Sequence, residues 1–505
     1  MFGLAGWDAW TQKTILDSEA YLLPSESPAK TSTGGDNEAA KDPTEKPAAI
    51  DPALVRGVTV SRPEEGDGST VYLVGWRDNG PSNPQVWSLP WKWIAMITCC
   101  CLGIALTIPT SVEGPAQEAF QDHFGVSPMA GSMSTGIFLI GVGVGSLFSG
   151  PFSETFGRNI VYFVSMVVVM LFIMAKALAP SYGVALAFRF FGALFDATPM
   201  TVAGGTIGDI WKPMHIPFGL PLIGLESADW ISMIIIGAVL VFVLIAQLET
   251  YSPLLLEWRA RHLRELTGDD RYQAEHTSAS SLGFRLLANV YRPFFMVWTE
   301  PIILVFSFYL VLLYFVLFTF LNGISASLTF IIWVAKMPEV AVAIIMVPYI
   351  YSLTKKAAAS AMTAGKPLQP EVSLYWAMAG ASILMPVSLF WMARTCYSDI
   401  SIWSPIIASA IFGYALVCIF TTIYMYIIFV YLQHSASALG FMTFARYVIS
   451  GALSPASIKM YENIGTHWSL IIVGIIATVM APVPYVLYKY GHKVRAMSRN
   501  VQNRA

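Results

Sequence analysis

"GIFLIGVGVGSLFSGPFSETFGRNIVYFVS", residues Gly136–Ser165, holds the pattern on which the reading of this chain turns. An uncharged, glycine-studded run gives way to a short polar stretch, Gly150 to Asn159, and a second uncharged run follows from Ile160. Glycines spaced along an apolar run form a small-residue face that lets another helix approach closely. In the polar stretch, Gly150 and Gly157 permit a tight turn. Glu154 can accept from a neighbouring helix N-terminus or from Arg158, which gives a charge latch on one face. The plainer reading is an ordinary polar turn between two spans.

The rest of the chain repeats this alternation. Of 505 residues, 55% are hydrophobic and 12% charged, and the mean hydropathy is +0.59. Such a make-up points to an all-α polytopic membrane protein and away from an ordinary soluble enzyme. Windows of about 20 residues mark apolar spans near 93–112, 129–149, 160–179, 184–207, 230–247, 299–321, 326–353, 374–393, 403–431, 435–455 and 468–488. Residues 1–90 are polar and rich in Pro, Gly and Ser, and read as a disordered cytosolic tail without a cleaved signal. The chain then divides into a helical half over 91–248, a linker over 249–292, a second half over 293–488 and a tail over 489–505.

Lys and Arg set the sidedness. The linker carries Arg259, Arg261, Arg264, Arg271, Arg285 and Arg292, and Lys355, Lys356, Lys489, Lys493 and Arg495 crowd other span ends, so these segments read as cytosolic. Counting from a cytosolic N-terminus, the short, proline-broken stretch Met214–Trp230 has to cross for the linker to lie inside. As a helix its 16 residues to Asp229 reach about 24 Å, and a partly extended stretch reaches further. Within the linker, residues 254–269 place Leu and Trp opposite Arg on a helical wheel. They read equally as an interfacial helix or as a solvated one.

The net charge of −2 offers no footprint for nucleic acid. Cys99, Cys100, Cys101 and Cys418 lie inside apolar runs and read as packing residues. The histidines all fall in or beside loops, which leaves no intramembrane pair for haem or a catalytic metal and disfavours a membrane enzyme.

Charges inside spans are costly and mark candidate functional sites. Arg189 is followed at i+7 by Asp196 on the same face of the fourth span; bracing the fold near a span end is the plainer role for this Arg. Lys336 and Glu339, at i and i+3, either neutralise one another or face a cavity. Arg446 lies in the eleventh span, and Glu300, before Pro301, reads as a helix-start acid favoured by the dipole.

The stretch Gly150 to Arg158 resembles the loop between helices two and three of the major facilitator superfamily, Gly-x-x-x-Asp-x-x-Gly-Arg, with Glu154 standing where the family has Asp. Arg189-x-x-Gly192 resembles that family's fourth-helix motif, whose Arg is linked to proton coupling. "WRDNGPSNPQVWSLPWKW" (Trp76–Trp93), "RPFFMVWTEPI" (Arg292–Ile302) and "SASALGFMTFARY" (Ser435–Tyr447) look like the fungal twelve-span proton antiporters that export drugs, polyamines and toxins. The resemblance implies the major facilitator fold, two six-helix halves related by a pseudo-two-fold axis, and Arg446 facing the central cavity. It also implies a monomer in the plasma or vacuolar membrane, acting on a small-molecule substrate with a proton gradient and no cofactor. The family's fifth-helix Gly-Pro motif survives here only as Gly219, Pro221 and Gly224; an altered crossing, or a coding segment missing from this stretch, accounts for the shortage. Uptake by the same fold, and a non-transporting sensor or defective paralogue, stand as alternatives.

Overall fold

The computed structural model describes residues 58–61, 71–76, 83–210, 236–243, 249–267, 269–274, 282–322, 352, 355–356, 359, 369–375, 377–378, 382–395, 400–401, 403–431 and 435–496. The short crossing Met214–Trp230, with Gly219, Pro221 and Gly224, lies outside the described residues, as do Lys336 and Glu339. The chain forms two compact units, Met1–Lys92 with Leu248–Ser280, and Trp93–Gln247 with Ser281–Ala505.

Two short stretches of the segment read as a disordered tail are strands of the smaller unit. Val58–Ser61 (β1) pairs antiparallel with Val71–Val74 (β2), and β2 pairs in parallel with Tyr272–Ala274 (β3) from the linker. A two-stranded hairpin alone is marginal in water; a third strand and a covering helix make it stable. That helix runs from Ser252 to Thr267. Its Leu256 and Ala260 bury against Tyr72, Val74, Tyr272 and Ala274. The apolar stripe read as an interfacial face is therefore used on the sheet. Trp76 Nε1 donates to Ser252 Oγ at 2.7 Å across 176 residues of sequence, and Arg259 Nη1 donates to the Gly75 carbonyl at 3.0 Å.

The larger unit is helical: α1 (Leu89–Phe124), α2 (Pro128–Phe156), α3 (Arg158–Ala177), α4 (Tyr182–Ile210), then, beyond the linker helix α5 (Ser252–Thr267), α6 (Leu282–Thr299), α7 (Pro301–Asn322), α8 (Ser382–Thr395), α9 (Trp403–Tyr431), α10 (Ser435–Ile464), α11 (Thr466–Met480) and α12 (Val483–Ala496). Among the described residues, Pro128–Phe156, Arg158–Ala177, Pro301–Thr319, Trp403–Tyr431 and Thr466–Arg495 are long and apolar enough to cross a membrane. The expected span at 403–431 matches α9. The span at 435–455 extends to Ile464, because Pro455 does not end it and the left-handed Gly465 (φ +83°) does.

Helix α2 packs on α4 and on α10 through its small residues. A Cβ added at Gly136 would meet the Gly451 carbonyl at 2.7 Å, and one at Gly143 would meet Val448 Cγ2 at 2.7 Å, both on α10. On its other side, Gly141 abuts Ala193 and Phe190 of α4, and an added Cβ at Gly145 would collide with the Leu194 carbonyl. The glycines read from sequence as a packing face thus serve two faces. One is turned to the helix's own half and one to the opposite half. Ser146 Oγ donates to the Gly440 carbonyl at 3.3 Å and extends the α2–α10 seam toward the start of α10.

Candidate functional site

The polar stretch between α2 and α3 is tighter than its sequence implies. Helix α2 continues through Gly150 and Pro151 to Phe156, and the reversal is confined to Gly157, at φ +90°, a region that favours glycine. Gly150 is helical and takes no part in the turn. Arg158 then begins α3, buried, with Nη1 donating to Ser153 Oγ at 2.7 Å and Nε to Asp209 Oδ2 of α4 at 3.2 Å. Glu154 lies in the field of Arg158 and Arg292. A carboxylate bound to the motif's arginine is Asp209, which sequence reasoning did not single out. Gly205 lets it happen, since an added Cβ there would sit 2.7 Å from Arg158 Nη2. One turn further on, Tyr162 and Thr206 share a 2.8 Å hydroxyl contact. The start of α3 is therefore riveted to the end of α4. Arg158 is buried and Asp209 only partly so, which puts the cost of removing one partner below the roughly 3–5 kcal/mol of a fully buried pair.

Along α4, Arg189, Gly192 and Asp196 line one narrow cleft with Phe138, Phe172 and Lys176. The Arg189 guanidinium lies 4.3 Å from the centre of the Phe138 ring. Gly192 admits α3, since an added Cβ would stand 3.2 Å from Phe172 Cβ. Asp196 is buried, Arg189 acts on its charge, and among the described residues its Oδ1 has no hydrogen-bond partner. The spacing read from sequence thus brings the two charges of the fourth span into one cleft, and Lys176 joins them from α3.

Arg446 on α10 is the largest fully buried side chain among the described residues. Its guanidinium carbon lies 4.8 Å from the ring centre of Tyr314, 4.9 Å from Phe420, 5.5 Å from Tyr424 and 4.9 Å from Tyr447. A cation–π contact contributes about 0.5–2 kcal/mol. Desolvating an ion costs several kcal/mol, so four rings offset much of the burial without supplying a counter-charge. Tyr314 and Tyr447 also pack with Phe138, Val142, Ala193 and Ala197, so the cage borders on α2 and α4 of the first half. Within the aromatic run of α7, Tyr314 is the residue that reaches Arg446.

Glu300 precedes α7 and Pro301 as expected, and its amide donates to the Met296 carbonyl at 2.8 Å. It is buried, and Tyr431 at the end of α9 donates to its Oε2 at 3.0 Å. A second ion pair missed in sequence joins Arg495 of α12 to buried Glu371 at 3.0 Å. A glycine at 491 opens this contact, since an added Cβ would stand 3.1 Å from the Glu371 carboxylate. Among the described residues, no group of His, Cys, Asp or Glu side chains could hold a metal ion.

The family model described as Major Facilitator Superfamily matches residues 95–455. The chain is 40% identical to the MFS-type transporter kojT of Aspergillus flavus over 476 residues, covering 85% of this chain and 83% of that protein. It is 29% identical to the MFS-type efflux pump MFS2 of Trichophyton rubrum, over 88% of this chain and 80% of that one. Among solved structures, the xylose transporter XylE from E. coli, in a partially occluded inward-open conformation, superposes with a TM-score of 0.50 at 13% identity. The match covers 79% of this chain and 98% of XylE.

Proposed function

The chain belongs to the major facilitator superfamily, whose members carry small molecules across membranes, and from that premise we propose that it exports a small organic compound in exchange for protons by alternating access. The observation that carries this reading is the cleft of α4, where buried Asp196 shares a face with Arg189. An intramembrane carboxyl that lacks a full set of partners is suited to take up and release a proton as the cleft changes access, and a nearby guanidinium biases which state holds it. The relative named as an efflux pump supports the outward direction. The seam of α2 with α10 supports alternating access, since it joins the two halves through small residues that can part without unthreading long side chains.

The test begins with metabolite profiles of cells lacking the protein, inside against outside, to find the compound that accumulates. Flux of that compound in membrane vesicles is then followed with and without a protonophore. Collapse of flux with the gradient is the expected result. Flux indifferent to the gradient overturns proton coupling, and net movement inward favours the uptake reading. The plasma membrane is the proposed location, and a fluorescent fusion decides between it and the vacuole.

A further inference from the structure

The α4 cleft and the ion pairs at the helix ends serve the readings given above. The Arg446 cage does not, since nothing in proton handling calls for a permanent cation sealed among rings. Among the described residues, its guanidinium is faced by the rings of Tyr314, Phe420, Tyr424 and Tyr447 and makes no ion pair. Its Nε and Nη1 have no hydrogen-bond partner there. A guanidinium taken out of water with donors unused binds an anion whenever one can reach it, and its planar fork matches a carboxylate. Around it, Tyr314 meets Tyr447 edge to face at 5.2 Å, and Phe420 stacks on Tyr424 at 4.4 Å. These are flat apolar walls against which a planar body can lie. Tyr314 and Tyr447 are also the rings that touch α2 and α4. The cage is therefore closed by the first half and opened by any separation along that seam.

We infer that the Arg446 cage is the subsite for the anionic group of a planar aromatic acid, and that the substrate class of this carrier is organic anions rather than the cationic drugs or polyamines that resemblance alone suggests. The inference rests on the transport reading for its physiological meaning, but binding is measured without a gradient and so fails or succeeds separately. A cation entering the cage would meet Arg446 head on, and electrostatics alone disfavours it.

The experiment is equilibrium binding to the full-length protein in lipid nanodiscs at pH 7. It uses benzoate, benzamide and benzamidine, which share one flat ring and differ in charge. Benzoate binding at least tenfold tighter than either other ligand is expected. Arg446→Gln should bring benzoate down to the benzamide level, a tenfold loss equal to about 1.4 kcal/mol. Arg446→Lys should fall between, since it keeps the charge and loses the fork. Phe420→Leu should weaken benzoate several-fold and leave acetate unchanged. Equal binding of the three ligands by the unaltered protein, a preference for benzamidine, or a benzoate preference that survives Arg446→Gln overturns the inference. If Arg446→Gln does not fold, the order of the three ligands on the unaltered protein decides. Gradient-driven flux of a cation with no benzoate binding sinks this proposal and leaves the transport reading standing. Benzoate binding without gradient dependence does the reverse.

Discussion

Arg189 and Arg446 are both buried, at 5% and 1% exposure, and both lie over aromatic rings, one in each helical half. Arg189 shares its cleft with Asp196, whereas Arg446 is faced by four aromatic rings and, among the described residues, makes no ion pair. The two environments neutralise a cation in different ways. A carboxylate within reach makes a site whose net charge changes when a proton arrives. Rings alone leave a fixed positive charge that only an incoming anion can balance. The first arrangement suits energy coupling and the second suits selection. Arg158, held at 3.2 Å by Asp209, and Arg271, held at 2.7 Å by Asp269 in the small unit, complete a series from structural to functional.

Asp196→Asn breaks the contrast most severely, since it removes the carboxyl that shares the cleft of Arg189. Gradient-driven flux in proteoliposomes should fall by a factor of about 100, in the range reported for removal of a proton-handling group. Substrate exchange without a gradient should persist. Retention of gradient-driven flux would remove Asp196 from the mechanism.

Phe138→Leu comes next, because this ring lies under Arg189 and packs in the cluster that contains Tyr314 and Tyr447. A drop of about 1–2 kcal/mol in unfolding free energy is expected from the lost ring contacts. The two arginine environments should loosen together. A change at only one of them, followed by site-specific labels, would show that they are independent.

A double-mutant cycle of Arg158→Gln and Asp209→Asn sharpens the structural end of the series. A coupling of about 1–3 kcal/mol should appear in thermal stability, with ligand preference unmoved.

The smallest effect belongs to Asp269. Hydrogen bonds from Arg271, followed by its positive charge, hold the Asp269 carboxyl below its ordinary range. A depressed folded-state value means that the stabilisation is present above the unfolded value, near pH 3.9, and is lost as pH falls through the folded one. Trp76 fluorescence should therefore report loosening of the small unit only below about pH 4. Asp269→Asn should show slight loosening at neutral pH with the acid dependence gone. Since the pair is partly exposed, solvent screens much of its contribution.

Much of this arrangement is legible in the chain. The uncharged run at 403–431 is helix α9 to the residue, and the spacing of Arg189, Gly192 and Asp196 places them on one cleft. Hydropathy and helical periodicity report what a single element does, and here one element is enough. The partners of Arg158 and Arg446 come from other elements, and no local pattern ties Asp209 to Arg158 or Tyr314 to Arg446. A clue was nonetheless present at Asp209, an acid at the very end of an apolar span beside a glycine pair, where a basic loop motif from the neighbouring span would arrive. The sheet of the small unit was hidden for a similar reason. "VTVS" and "VYLV" around a Pro- and Gly-rich connection are a legible hairpin signal, but the third strand lies beyond the first helical half, and a polar composition over the whole segment masked both short runs.

The glycine face of α2 has a consequence for friction. Side chains that interdigitate across a helix seam make a corrugated surface, on which sliding means lifting each knob out of its hole. Gly136 against Gly451 sets main chain on main chain, and Gly143 leaves a shallow seat for the Val448 side chain. Such a seam has the form of a plain bearing: close fit holds the halves in register, and few, shallow teeth would let them turn past one another with little loss in the alternating access proposed above.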